Sequence, residues 1–275
     1  MMIDAHQHFW QIERGDYGWL TPDLAPLYRD FMPEDLVPHL RQNGIDGTIL
    51  VQAAPSSAET EFLLDIADKT PFVLGVVGWT DFTVASAADD IARLAKNSKL
   101  VGLRPMIQDI ADDDWILRPD LAPAFEAMIQ TDLTFDALVL PRHLSQLRKF
   151  LSLHPKLRCV VDHGAKPDIS GGRFDDWASD IAAIAKESGA YCKLSGLLTE
   201  AGKDWTKTDV APYVAHLLEH FGPERLVWGS DWPVLTMAAS YEVWIGMTEN
   251  LIRDERVRDA VFGSNCVTLY RILER

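Results

Sequence analysis

Met2-Ile3-Asp4-Ala5-His6-Gln7-His8 opens the chain with a strand-like run that ends in two histidines two residues apart. Residues two apart on a strand share a face, so both imidazoles can converge on one ion or one substrate atom. Taken alone, the triplet reads equally well as two hydrogen-bonded histidines beside a loop. The fold is decided by what repeats after it. Further short β-branched or aromatic runs occur at Gly47 to Gln52, Phe72 to Trp79, Leu100 to Arg104, Leu133 to Leu138, Arg158 to His163, Ala190 to Leu194 and Leu226 to Asp231. Between them lie stretches with apolar residues at helical spacing, such as Phe62, Leu63, Ile66 and Ala67, or Leu144, Leu147, Phe150 and Leu151. Strands alternating with helices make βαβ units and a parallel sheet. Eight such units predict an α/β fold of the (β/α)8 TIM-barrel kind, with an open doubly wound sheet as the alternative. The phosphate-cradling patterns G-x-G-x-x-G and G-x-x-x-x-G-K-[ST] are absent, which removes the main reason to prefer the open sheet.

The chain of 275 residues is long enough for one barrel of roughly 250 residues, and neither a linker nor a repeat divides it, so residues 1–275 are expected to form a single domain. A hydrophobic content of 47% supplies a large core. The net charge of -15 argues against a nucleic-acid or anionic-membrane partner. Cys159, Cys192 and Cys266 show no C-x-x-C pairing, and the N-terminus shows no signal peptide, which together suggest a soluble, cytoplasmic protein. Two long polar segments, Gln11 to Met32 and Lys166 to Phe174, are expected to cover a site.

The sixth run ends in Asp162-His163 and the eighth in Gly229-Ser230-Asp231. Polar residues at the C-terminal ends of barrel strands lie where this fold places its catalytic groups, so His6, His8, His163 and Asp231 can meet. Imidazole and carboxylate suit Zn²⁺ ahead of Mn²⁺ as a single divalent metal. The fourth run ends in Arg104, whose guanidinium cannot ligate a metal. Arg104 suits instead the binding of a carbonyl and the oxyanion that develops from it, or else a structural salt bridge near the barrel top. Gln52, Asp136 and Lys193 either line the pocket or satisfy backbone groups. His143, after Pro141, faces the site or solvent. Nine tryptophans are many for this length, and Trp10, Trp19, Trp79, Trp115, Trp205 and Trp232 fall in presumed top-face loops, where their flat faces could cover one face of a ligand ring. Trp10 and Trp232, beside the candidate ligands, are favoured for the pocket.

Several blocks in order, Ile3-Asp4-Ala5-His6-Gln7-His8-Phe9-Trp10, Gly102-Leu103-Arg104-Pro105, Leu138-Val139-Leu140-Pro141-Arg142-His143, Asp162-His163-Gly164-Ala165-Lys166-Pro167, Lys193-Leu194-Ser195-Gly196-Leu197 and Trp228-Gly229-Ser230-Asp231-Trp232-Pro233, span nearly the whole chain. Together they resemble the amidohydrolase-related sugar lactonases, including those acting on L-fucono- and L-rhamnonolactone. The resemblance implies hydrolysis of a small sugar lactone to its aldonic acid in sugar catabolism. It also implies a core of His6, His8, His163 and Asp231 holding a metal, with Asp231 as base for the attacking water. A metal-free route is also open, in which Asp231 activates water while His163 and Arg104 polarise the carbonyl, with a protonated imidazole near Asp231 replacing part of the metal's charge. Metal-dependent non-oxidative decarboxylation of an aromatic acid is the alternative enzyme class, and a barrel that only binds a metabolite is a third reading. The partner expected is a small molecule; the oligomeric state is left open.

Overall fold

A computed structural model describes residues 1–272. Eight parallel strands, β1 (Ile3–Gln7), β2 (Gly47–Val51), β3 (Val73–Gly78), β4 (Leu100–Leu103), β5 (Thr134–Ala137), β6 (Cys159–Val161), β7 (Tyr191–Leu194) and β8 (Leu226–Trp228), follow one another in sequence order around the sheet. Just past β8 the ring is joined to β1 by Asp231 N–H donating to His6 O at 2.8 Å and His8 N–H donating to Trp232 O at 2.8 Å. The barrel, not the open sheet, is the fold. Each expected strand is present within one to three residues at either end: β2, β4, β6 and β8 stop short of Gln52, Arg104, Asp162 and Gly229, whereas β1 is shifted by one residue to Ile3–Gln7 and β3, β5 and β7 lose only flanking apolar residues.

Helices α1 (Pro33–Asn43), α2 (Ser57–Lys69), α3 (Ala87–Leu94), α4 (Ala122–Gln130), α5 (Leu144–Leu153), α6 (Asp175–Glu187), α7 (Leu197–Ala201), α8 (Lys207–Phe221) and α9 (Tyr241–Leu251) follow the strands. The larger apolar core lies between this outer layer and the sheet. A smaller core fills the barrel, where Ile3, Ala5, Ile49, Val77, Val160 and Val227 pack on Leu269 and Tyr270. Two more short helices, α10 (Glu255–Asp259) and α11 (Asn265–Tyr270), end the described chain. Thr134 Oγ1 donates to Leu269 O at 3.1 Å, which ties α11 across the strand starts and leaves the opposite end open to ligands. No helix among the described residues is long and apolar enough to cross a membrane.

Candidate active site

His6 reaches the mouth because β1 is irregular. Asp4 turns to Ser230, accepting from its N–H at 2.8 Å and its hydroxyl at 2.6 Å, and to the Tyr241 hydroxyl at 3.0 Å. Strict alternation would send His6 the same way. The pairing with β2 shifts register between Asp4 and Gln7, and the irregularity re-aims His6 and His8 into the barrel, as bulges beside active sites do. Gly229 makes room for this, since a Cβ there would lie 2.6 Å from the Cβ of His6.

His163 is delivered by an uncommon backbone. His163, Gly164, Ala165 and Lys166 have φ of 52°, 58°, 64° and 51°, one turn of left-handed helix, which L-residues adopt at a cost of roughly 1–2 kcal/mol each. Lys166 N–H donates to His163 O at 2.9 Å and the Trp177 indole donates to Gly164 O at 2.7 Å, so packing holds the strained turn. It presents both His163 and Lys166 to the mouth. Gly196 is obligatory beneath it: its φ is 68°, and a Cβ would sit 2.7 Å from His163 Nδ1. Asp231 is also left-handed, at φ 61°.

Four donor atoms converge. Asp231 Oδ1 lies 3.3 Å from His8 Nε2, 3.7 Å from His6 Nε2 and 4.0 Å from His163 Nε2, and the His6 and His8 Nε2 atoms are 3.2 Å apart. Donor atoms of His6, His163 and Asp231 all lie within 4.8 Å of one another, a spacing that suits a single divalent ion with ligands about 2.0–2.2 Å away, and His8 stands beside that set. His8 is oriented by its Nδ1–H, which donates to Val51 O at 2.7 Å and turns Nε2 toward Asp231. His163 Nδ1 has the Ser195 hydroxyl at 2.8 Å. His6 is different. Lys193 Nζ is 3.1 Å from its Nδ1, and Arg104 Nη1 is 3.4 Å from its Nε2, so both ring nitrogens face cations. The donor set therefore fits one ion in type and spacing, with the two cations around His6 opposing it.

Beneath His6 the charges are balanced in the dark. Lys193 Nζ contacts Asp136 Oδ2 at 2.5 Å and Asp162 Oδ1 at 3.0 Å, Arg104 Nη1 contacts Asp162 Oδ2 at 3.1 Å, and the Tyr270 hydroxyl donates to Asp136 at 2.7 Å. Burial alone would neutralise Lys193, but Asp136 and Asp162 hold its ammonium charged. Burial and the nearby cations push His6 well below the usual imidazole range. Burial brings His163 down to about 4, against the pull of Asp231 and Asp162. Asp231 is held below the usual carboxylate range despite burial, by His163, by the His8 hydrogen bond and by Lys166. Lys166 is the fixed cation that acts on the Asp231 carboxylate, while Lys193 and Arg104 act on His6.

The cleft above these groups encloses about 290 Å³ and is walled by His8, His163, Asp231, Arg104, Lys166 and Trp19, among others. A larger cavity of about 750 Å³ adjoins it at Lys166 but contains none of the histidines. Five residues expected to touch substrate lie elsewhere. Lys193 and Gln52 are fully buried, the latter donating to Arg104 O at 2.8 Å and accepting from its guanidinium, so they brace His6 and Arg104 from below. Trp10 is closed over by Phe31 and Trp19 and donates to Arg29 O at 2.8 Å. Trp232 packs on Phe9, Phe31 and His39. His143 turns back to accept Leu140 N–H at 3.0 Å. In exchange the cleft contains Lys166, whose Nζ bridges Gln108 Oε1 at 3.1 Å and Glu200 Oε1 at 3.4 Å. It lies within the Asp162-to-Pro167 block, which was the available signal. The segment 11–32 brings Trp19 over the cleft, and of 166–174 Lys166 reaches it.

A (β/α)8 barrel with His-x-His on β1, a histidine after β6 and an aspartate after β8 defines the metal-type hydrolase class of barrels. The chain belongs to the amidohydrolase family, whose model matches residues 3–272. It is 47% identical to an L-fucono-1,5-lactonase of Burkholderia ambifaria, over 98% of this chain and 95% of that protein. An L-fucono-1,5-lactonase of Burkholderia multivorans is 33% identical over 100% of this chain and 97% of its own. The crystal structure of an amidohydrolase from Burkholderia multivorans with bound Zn superposes with a TM-score of 0.92, at 32% identity, covering 98% of this chain and 99% of that one.

Proposed function

We propose that this protein is a carboxylic-ester hydrolase that opens a sugar-derived lactone, of the L-fucono- or L-rhamnonolactone kind, to the aldonic acid in sugar catabolism. The observation that carries the reading is an ionised Asp231 beside neutral imidazoles at the floor of a cleft that also presents two cations, Arg104 and Lys166. The 47% identity to a curated lactonase over nearly the full length supports the substrate class.

The groups divide the work as follows. Asp231 Oδ1 accepts a proton from water as its oxygen adds to the lactone carbonyl. His8 and His163 orient that water. Negative charge growing on the carbonyl oxygen is met by Arg104 and Lys166, donors already in place before the reaction. As the ring C–O bond breaks, Asp231 returns its proton to the leaving alkoxide, so one water is consumed and one hydroxyl and one carboxylic acid are formed. A divalent ion bound by His6, His8, His163 and Asp231, Zn²⁺ ahead of Mn²⁺, would supply Lewis-acid polarisation of the carbonyl. The three free cysteines are all buried, in keeping with a cytoplasmic enzyme.

The test is acid release by purified protein across a panel of aldonolactones in a pH-stat, with and without chelator or added Zn²⁺. Turnover of one or two stereochemically related lactones is expected. No turnover across the panel, with CO₂ release from an aromatic acid, would replace this reading by the decarboxylase.

A further inference from the structure

Trp19, Trp79 and Trp115, three of the tryptophans notable in the sequence, meet around a second cavity beside the catalytic cleft. It encloses about 510 Å³, and Trp19, Met106 and Asp109 belong to the walls of both spaces, so the two are contiguous. At 290 Å³ the cleft alone lies at the lower edge of small-molecule sites, which run from about 300 to 1,000 Å³, whereas cleft and cavity together fall inside that range.

The aromatic walls are fixed in advance. Trp19 is 36% exposed, yet its indole is pinned at one edge by donation to Ala53 O at 2.7 Å. Thr60 clamps the backbone of Trp79 from behind, its hydroxyl accepting the N–H and donating to the carbonyl, both at 2.7 Å. Trp115 is buried and closes the far side. Around these rings stand the carboxylates of Asp16, Asp81 and Asp109. Flat apolar faces beside hydrogen-bond acceptors suit the C–H face and hydroxyls of a neutral sugar. Asp16 is paired with Arg14 at 2.6 Å, but Asp81 and Asp109, on a chain of net charge -15, repel an anionic group, and an alkyl chain would desolvate them without replacing their hydrogen bonds.

We propose that this cavity is a second subsite that receives a neutral sugar ring attached to the lactone, so that the enzyme also opens lactones of glycosylated sugar acids. Water adds across the lactone C–O bond as before, and the glycosidic bond is untouched. The inference rests on the lactonase reading above.

The experiment takes the free lactone turned over best and compares it with derivatives carrying one β-glucosyl group on each ring hydroxyl in turn, using wild type, Trp79→Ala and the cavity-filling Thr83→Trp. Wild type is expected to open at least one derivative with kcat/KM no lower than that of the free lactone. Both variants should keep free-lactone kcat/KM within about twofold and lose about tenfold on that derivative, the scale of one lost aromatic contact. Wild type that rejects every derivative while opening the free lactone would overturn the subsite alone, as would variants that lose both activities equally. Failure on every free lactone would overturn the lactonase reading and the subsite with it.

Discussion

Lys193 Nζ lies 3.1 Å from Nδ1 of His6, at the floor of the site and out of reach of any substrate. A charged ammonium can only donate, so the contact makes Nδ1 an acceptor. Neutral His6 then holds its proton at Nε2, the atom a metal would need, against the Arg104 guanidinium 3.4 Å away. The same lysine neutralises Asp136 and Asp162, so one side chain sets both the tautomer of His6 and the charge beneath it.

Replacing Lys193 by Met should therefore be costly in the fold before it is costly in the chemistry. Two buried carboxylates would lose their shared partner, and breaking a buried ion pair from one side costs about 3–5 kcal/mol. Thermal and denaturant unfolding should show a loss of that size, and Lys193→Met, Asp136→Asn should recover part of it. A single variant as stable as wild type would mean that the pair carries no such weight.

Arg104 is the second cation on His6, and its removal should separate metal binding from turnover. Arg104→Met takes a positive charge from within a few ångströms of any ion on His6, so Zn²⁺ affinity measured against a competing chelator should rise by about tenfold or more. Turnover should fall by about 10²–10³, the usual loss for one oxyanion donor. Parallel loss of zinc affinity and activity would show Arg104 supporting the metal instead of opposing it.

The fold was legible because each unit announces itself: a short β-branched run, then apolar residues at helical spacing, eight times over. The histidines and Asp231 were legible for a related reason, as polar residues closing apolar runs. What could not be seen was depth. Lys193 lies within β7 and is buried, whereas Asp231 lies past the end of β8 and walls the cleft. Trp10 and Trp232 lie close to ligands in sequence but beyond the ends of β1 and β8, where Trp10 packs under Tyr17, Trp19 and Phe31 and Trp232 on Phe9, Phe31 and His39. Lys166 enters the cleft through a left-handed turn that no periodicity encodes.

Asp231→Asn isolates the base. Asparagine tolerates left-handed backbone better than most residues, so the φ of 61° should be kept and stability should change by no more than about 1 kcal/mol. The amide cannot accept a proton from water, and turnover should fall by about 10⁴, comparable with loss of a paired acid–base group. Retained turnover in a folded variant would remove Asp231 from the proton transfer.

Glu59 should make stability depend on pH in a direction opposite to most surface carboxylates. Its buried carboxylate accepts from Ala53 N–H at 3.0 Å and Ala54 N–H at 2.8 Å at the end of β2, and burial raises its pKa to about 7 in spite of those bonds and Arg104. A carboxyl with a raised folded pKa binds more protons in the folded than in the unfolded chain, so its contribution is fully present below about pH 4.5 and is lost as pH rises through 7. The span corresponds to about 3 kcal/mol. Glu59→Gln keeps the shape and one acceptor but does not titrate. The wild type's unfolding free energy minus the variant's should therefore fall by about that amount between pH 4.5 and pH 8. A difference that stays level across the range, or rises with pH, would show that Glu59 is ionised throughout and that Arg104 governs it instead of burial.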